Sequence, residues 1–138
     1  MDQNRILDRL KALPGFIGFY YKNLATGDSF SLHENDLFES ASVIKLPILV
    51  EAFRALGAGE LFPDELVTIR REDKLPSCGA LSYMHDGLQV TVRDLLELMI
   101  ILSDNTATNL VLDRVGLERV NETMRQMEIP GIRLRNAG

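Results

Sequence analysis

The sequence predicts a mixed α/β fold of the α+β kind: one helix, two antiparallel strands, then mostly helices. Three observations carry this. Ile6, Leu7, Leu10 and Leu13 recur at helical spacing near the N-terminus. An aromatic-rich stretch, "GFIGFYYKNLATGDSFSLHEN", is interrupted by a turn signal. The second half holds three apolar-periodic segments, each bounded by its own start or stop residues.

Taken in order, residues 3–13 read as an amphipathic helix stopped by Pro14 and Gly15. Strands near 16–23 and 28–33 flank the turn Ala25-Thr26-Gly27-Asp28. Residues 42–57 form a mostly apolar helix ended by Gly57. Residues 58–90 read as irregular, with one short extended piece near Leu66–Arg70. "TVRDLLELMIILS" is a helix capped by Thr91, with Asp94 completing a capping box. "NTATNLVLDRVG" ends at Gly116, and "LERVNETMRQM" ends before Pro130 and Gly131.

The length of 138 residues suits one domain. The formal net charge of −5 argues against a nucleic-acid partner, because a phosphate backbone would be repelled. No apolar run reaches the ~18 residues of a membrane span. The N-terminal "MDQNRILDRLKAL" lacks the apolar core of a signal peptide, so the protein stays inside the cell or has lost a signal already. The single Cys78 rules out an internal disulfide, and no clustering suggests a metal or cofactor.

"FESASVIKLPILV" places Lys45 at the head of a segment otherwise fit for a core. A buried ammonium is costly unless paired or neutralised. Ser42 lies three residues before it, on the same helical face and about one turn away. A serine is a weak nucleophile until a neighbour takes its proton, and a lysine amine can be that neighbour. The pair alone leaves two readings open: an activated serine, or a capping serine beside a lysine that snorkels to solvent. Pro47 would either distort the second turn or mark a helix that starts later than Ser42.

Ser103-Asp104-Asn105 joins the apolar "LLELMIIL" to "TATNLVLDRVG". A helix–helix turn with one capping side chain explains one polar residue there, and explains three less well.

S-x-x-K followed some sixty residues later by S-D-N resembles the signature of the serine β-lactamase and penicillin-binding-protein superfamily, class A β-lactamases above all. The resemblance covers essentially the whole chain. It implies a β-lactamase/transpeptidase-like fold, here the N-terminal helix, the first two strands of a five-stranded antiparallel sheet and most of the helical part. Residues 1–36 would belong to the α/β part and 37–138 to the helical part. It implies Ser42 as the acylated nucleophile, Lys45 in its activation, and Ser103 as a proton relay to the leaving nitrogen. Asn105 would contact the substrate amide and the lysine, and Asp104 would hold the turn. The Ser42 N–H would supply half of an oxyanion hole. "LPSCGALSY" would line one wall of the cleft, with Tyr83 as a substrate-stacking candidate. His85 and Asp86 read as surface loop residues, Cys78 as either an accessible or an inert thiol, and Glu118 and Glu122 as a solvated helix face.

The resemblance also implies an omega loop and further strands bearing a K-T-G-like motif, which these residues do not include; "PGI" and "NAG" are no substitutes. The expectation is a serine hydrolase acting on β-lactams or related amides and esters. A second polypeptide, a nicked remainder or a second copy would complete its sheet against the Phe16–Lys22 strand, and the chain alone would not be an active monomer. The competing expectation is a non-catalytic fragment, a binding or complementation module that keeps the motifs.

Overall fold

A computed structural model describes residues 2–76, 78–129 and 131–134. Ser77 of the wall segment and the terminal Asn136-Ala137-Gly138 lie outside the described residues. The chain divides into two compact units, residues 1–39 and 40–138.

The first unit is a helix and a hairpin. α1 (Gln3–Lys11) begins where the Asp2 carboxylate accepts the Arg5 N–H, the usual way an orphan helical donor is satisfied. β1 (Phe19–Lys22) pairs antiparallel with β2 (Ser29–Leu32), with Phe19 opposite Leu32 and Lys22 opposite Ser29. The turn is organised by Asn23: its side-chain oxygen accepts from the Ala25 and Thr26 N–H groups, and its carbonyl accepts from Gly27, which takes a φ of +79°. Phe30 packs its ring on Phe19 and Tyr21, at 5.5 and 5.2 Å.

Among the described residues, the second unit holds four α-helices and a small sheet. The expected helix over 42–57 is two elements, a 3-10 turn over Ala41–Ile44 and then α2 (Lys45–Gly57). Pro47 therefore lies in the first turn of α2, where N–H groups have no intrahelical partner, and it costs the helix nothing. The reading of 58–90 as irregular with one extended piece is corrected: β3 (Leu66–Ile69) pairs antiparallel with β4 (Leu88–Thr91). β4 is only four residues long and abuts a helix cap, so its alternation was too brief to register as a strand. The extended piece expected near Leu66–Arg70 is thus a paired strand, and the described residues hold two separate two-stranded sheets.

α3 (Val92–Ile101) opens on the capping box of Thr91 and Asp94. α4 (Asn105–Val115) opens on Asp104, and α5 (Leu117–Gln126) follows after Gly116. Ile48 and Ala52 of α2, Val67 and Ile69 of β3, Val92, Leu95 and Met99 of α3, Ala107 and Val111 of α4, and Val120 of α5 form the core. No helix among the described residues is long and apolar enough to cross a membrane.

Two polar anchors fix this unit. Glu51 of α2 is fully buried. Its carboxylate accepts two bonds from the Arg54 Nε and one from a terminal nitrogen, at 2.8–3.0 Å, and the Thr123 hydroxyl of α5 at 2.5 Å. Arg54 also donates to Glu60, which Arg119 of α5 joins from the other side. Burial alone would push the Glu51 carboxyl up. The bonds from Arg54 and Thr123 outweigh burial and hold it below its ordinary value.

The second anchor ties the 70–87 connection to the start of α4. Asp104 is 1% exposed and accepts the N–H groups of Ala80, Leu81 and Ala107 at 2.7–3.0 Å. Leu75 donates to the Thr106 hydroxyl, and Asn105 donates to the Cys78 carbonyl. Gly79 makes the approach possible. A Cβ there would lie 2.2 Å from the Asp104 Cγ and 2.7 Å from its Cα, and the φ of +126° is already strained for any side chain.

Glu51→Gln removes the buried charge and keeps the shape. It is expected to lower the unfolding free energy at neutral pH by about 2–3 kcal/mol, the scale of a lost charged hydrogen bond. Because the folded carboxyl sits below the ordinary 4.5, its stabilisation is fully present above that value and is lost as pH falls through the lower folded value. Denaturant titrations of parent and variant should therefore converge on acidification, and a gap that persists at low pH would deny the carboxylate this role. Gly79→Ala is expected to cost about 2–4 kcal/mol through the clash and the strained φ together. Equal stability by the same titration would mean that loop and Asp104 can part freely.

Candidate active site

Three segments of the second unit meet at Lys45. The 3-10 turn delivers Ser42, the first position of α2 delivers Lys45, and the α3–α4 junction delivers Ser103 and Asn105. The Lys45 Nζ lies 3.1 Å from the Ser42 Oγ, 3.0 Å from the Ser103 Oγ and 2.9 Å from the Asn105 Oδ1. The two serine hydroxyls are themselves 2.6 Å apart. An ammonium has three N–H donors, and here each meets a neutral oxygen.

Lys45 is 6% exposed, whereas Ser42 is open to solvent and Ser103 is half-buried. A lysine that snorkels to water would be exposed at its tip; this one is enclosed with its head against two hydroxyls. The geometry thus sets aside the solvent-seeking reading of Lys45. It gives the cap role in the second motif to Asp104, whose side chain accepts the Ala107 N–H at the start of α4. That leaves Ser103 and Asn105 to face the lysine.

The backbone around the hydroxyls is strained. Ala41, immediately before Ser42, has a φ of +43°, and Ser103 has a φ of +53°. The left-handed region costs a residue with a Cβ roughly 1–2 kcal/mol. Tertiary contacts must hold both residues there.

Tyr83 ends a short 3-10 turn over Leu81–Tyr83 and is 83% exposed. Cys78 is exposed, and its carbonyl accepts the Asn105 N–H at 3.1 Å, which sets Cys78 beside one of the lysine's partners. Asp86 accepts from Lys74, which holds its carboxyl below the usual range, and His85 lies beside it on the surface. Glu118 is exposed and Glu122 pairs with Arg125, as a solvated face requires. No group of three or more metal-ligating side chains occurs among the described residues.

Sequence reasoning missed the supports of the site: Gly79, Thr106, Lys74 and the buried Glu51. A carboxylate inside "LPILVEAFRALG" was the available signal for Glu51, since an acid on an apolar helix needs a partner. Gly79 and Thr106 carry no local signal, because their partners lie 25 or more positions away.

A family model described as the β-lactamase enzyme family matches residues 3–137. "Beta-lactamase L2" of Stenotrophomonas maltophilia is 31% identical over 106 residues, covering 77% of this chain and 35% of that protein. The solved structure of PBP-A superposes with a TM-score of 0.89 at 33% identity, covering 97% of this chain and 51% of that one. A mutant of PBP-A, solved as an acyl-enzyme complex with penicillin G, gives a TM-score of 0.84 at 34% identity, covering 91% of this chain and 48% of that one. The chain thus spans about half the length of these solved structures and about a third of that curated relative. The helices and short antiparallel strands are those of the β-lactamase/transpeptidase-like fold. With a match that runs over nearly its whole length and a fold shared at that level, the chain belongs to the β-lactamase enzyme family.

Proposed function

We propose that these residues carry the nucleophile and proton relay of a serine hydrolase that forms an acyl-enzyme on Ser42 with β-lactams or related amides and esters. The observation that carries this reading is the lysine amine held within 3.1 Å of both serine hydroxyls. The PBP-A mutant solved as an acyl-enzyme with penicillin G lends it support, as a relative of the same fold.

The step needs Lys45 as the neutral amine: the ammonium first releases one proton to solvent, and the freed lone pair then faces the Ser42 hydroxyl. The Ser42 Oγ attacks the carbonyl carbon while its proton passes to the Lys45 Nζ. A C–O bond forms, and the C–N bond of the lactam or amide then breaks. The departing nitrogen needs one proton. Ser103, 3.0 Å from the Lys45 Nζ, donates its own and regains one from the lysine. Lys45 returns to its neutral form and the serine carries the acyl group. Water later cleaves that ester, releasing the acid and restoring the Ser42 hydroxyl. Asn105 keeps the amine aimed by accepting one of its N–H bonds, and it would also contact the substrate amide. The Ser42 N–H serves as one oxyanion donor. The exposed Tyr83 ring offers a stacking surface at the rim.

The second oxyanion donor and the groups that drive deacylation would come from the other half of the fold, as a continuation of the chain or as a second polypeptide. The half-length match to the solved relatives supports this. The competing reading, a binding or complementation module that turns nothing over, rests on the same half-length match.

The test is covalent labelling with a fluorescent penicillin in the presence of the rest of the fold. Label on Ser42 that disappears in Ser42→Ala supports the enzyme; a folded, complete protein that never labels supports the module. Lys45→Ala is expected to slow labelling by at least ~100-fold, the scale of a lost general base. Near-normal labelling would remove Lys45 from the mechanism. Ser103→Ala is expected to lower turnover with little change in the melting curve, and an unchanged rate would leave Ser103 a structural residue.

A further inference from the structure

We infer that Lys74 is a positioning residue that fixes the turn bearing Tyr83, the residue that the proposed function puts at the rim of the site. The inference rests on the proposed hydrolase reading for its kinetic consequence and on geometry alone for its structural one.

The 70–87 connection leaves β3 and returns to β4, and it is fastened at three levels. At its neck, β3 and β4 pair and the Gly87 N–H bonds the Ile69 carbonyl. At its far side, Leu75, Cys78, Ala80 and Leu81 bond to Thr106, Asn105 and Asp104. Between these levels stands Lys74. Its ammonium donates to the Met84 carbonyl and, at 2.6 Å, to the Asp86 carboxylate. The side chain is 14% exposed, so this is not an ordinary surface ion pair between two solvated groups. One enclosed cation ties the outgoing limb of the connection to the returning limb.

Tyr83 sits between two of these fastenings. Leu81, two residues before it, donates to Asp104, and Met84, directly after it, accepts from Lys74. The turn they bracket is a single 3-10 turn, with Tyr83 N–H to the Ala80 carbonyl and Met84 N–H to the Leu81 carbonyl. A ring that is 83% exposed has little packing of its own to hold it. Its placement is therefore set by its backbone, and the backbone is held on one side by the S-D-N aspartate and on the other by Lys74. Without Lys74 the turn keeps the Asp104 side of the clamp and loses its fastening on the Met84 side, with the next hold only at the Gly87–Ile69 neck.

The experiment uses Lys74→Met, which keeps the length of the side chain and loses the charge and donors. In amide exchange, the Tyr83 and Met84 N–H groups should exchange at least about 10-fold faster, while the β3 and β4 amides of Val67 and Val90 stay protected. Lys74→Arg, which can donate to both partners, should restore protection, and Asp86→Asn, which keeps the Met84 bond, should give an intermediate effect. In the assembled protein the half-saturating concentration of fluorescent penicillin should rise several-fold in Lys74→Met with the limiting labelling rate little changed. Unchanged exchange at Tyr83 and Met84 overturns the inference. So does acceleration spread evenly through Val67 and Val90, because Lys74 would then be a general stabiliser. A drop in limiting rate with unchanged half-saturation overturns the positioning role in the same way. If the parent protein never labels, the hydrolase reading fails, and the exchange measurement still decides whether Lys74 holds the turn.

Discussion

The second unit is organised around one demand: an ammonium enclosed at the head of α2 must have every donor satisfied. Lys45 meets it with three neutral oxygens, from the 3-10 turn that precedes its own helix and from the α3–α4 junction. Removing a cation from water is expensive, and hydrogen bonds offset that cost only where the acceptors are held in place. The packing of α2 against α3 and α4, through Ile48, Met99, Ala107 and Val111, is what holds them. Ser42 and Ser103 approach to 2.6 Å because the same amine binds both.

The strained residues belong to this arrangement. Ala41, next to Ser42, and Ser103 both take left-handed backbone conformations. Asp104 stabilises the second of these positions. A side chain that is buried and accepts three backbone N–H groups cannot move without breaking all three bonds, and it immobilises the turn on which Ser103 and Asn105 stand. The S-D-N motif thus divides its work: the outer two residues face the lysine and the middle one is the post to which they are fixed. Glu51 plays the corresponding part on the other side of α2, joining that helix to α5 through Thr123 and Arg54.

Membership in the β-lactamase enzyme family rests on the length of the match and the shared fold, and the chemistry proposed for Ser42 rests on the site. The chain spans about half of the length of the solved relatives it matches.

The sequence by itself determined the helices and the cluster. Helical periodicity and caps set α1, α3, α4 and α5 to within a residue or two, because those signals are local: Thr91 and Asp94 cap α3 whatever surrounds them. The spacing Ser42–Lys45 and the triplet Ser103–Asn105 named the residues that meet. Tertiary structure decided the rest. It split the helix at Ser42 into a 3-10 turn and α2. It paired Leu88–Thr91 with Leu66–Ile69, a contact that no short alternation announces. It placed Gly79 against Asp104, Thr106 under Leu75 and Glu51 beside Thr123, each joining residues at least 25 positions apart in sequence. Those contacts exist only once the chain has closed on itself, and they hold the hydroxyls and the lysine within hydrogen-bonding distance.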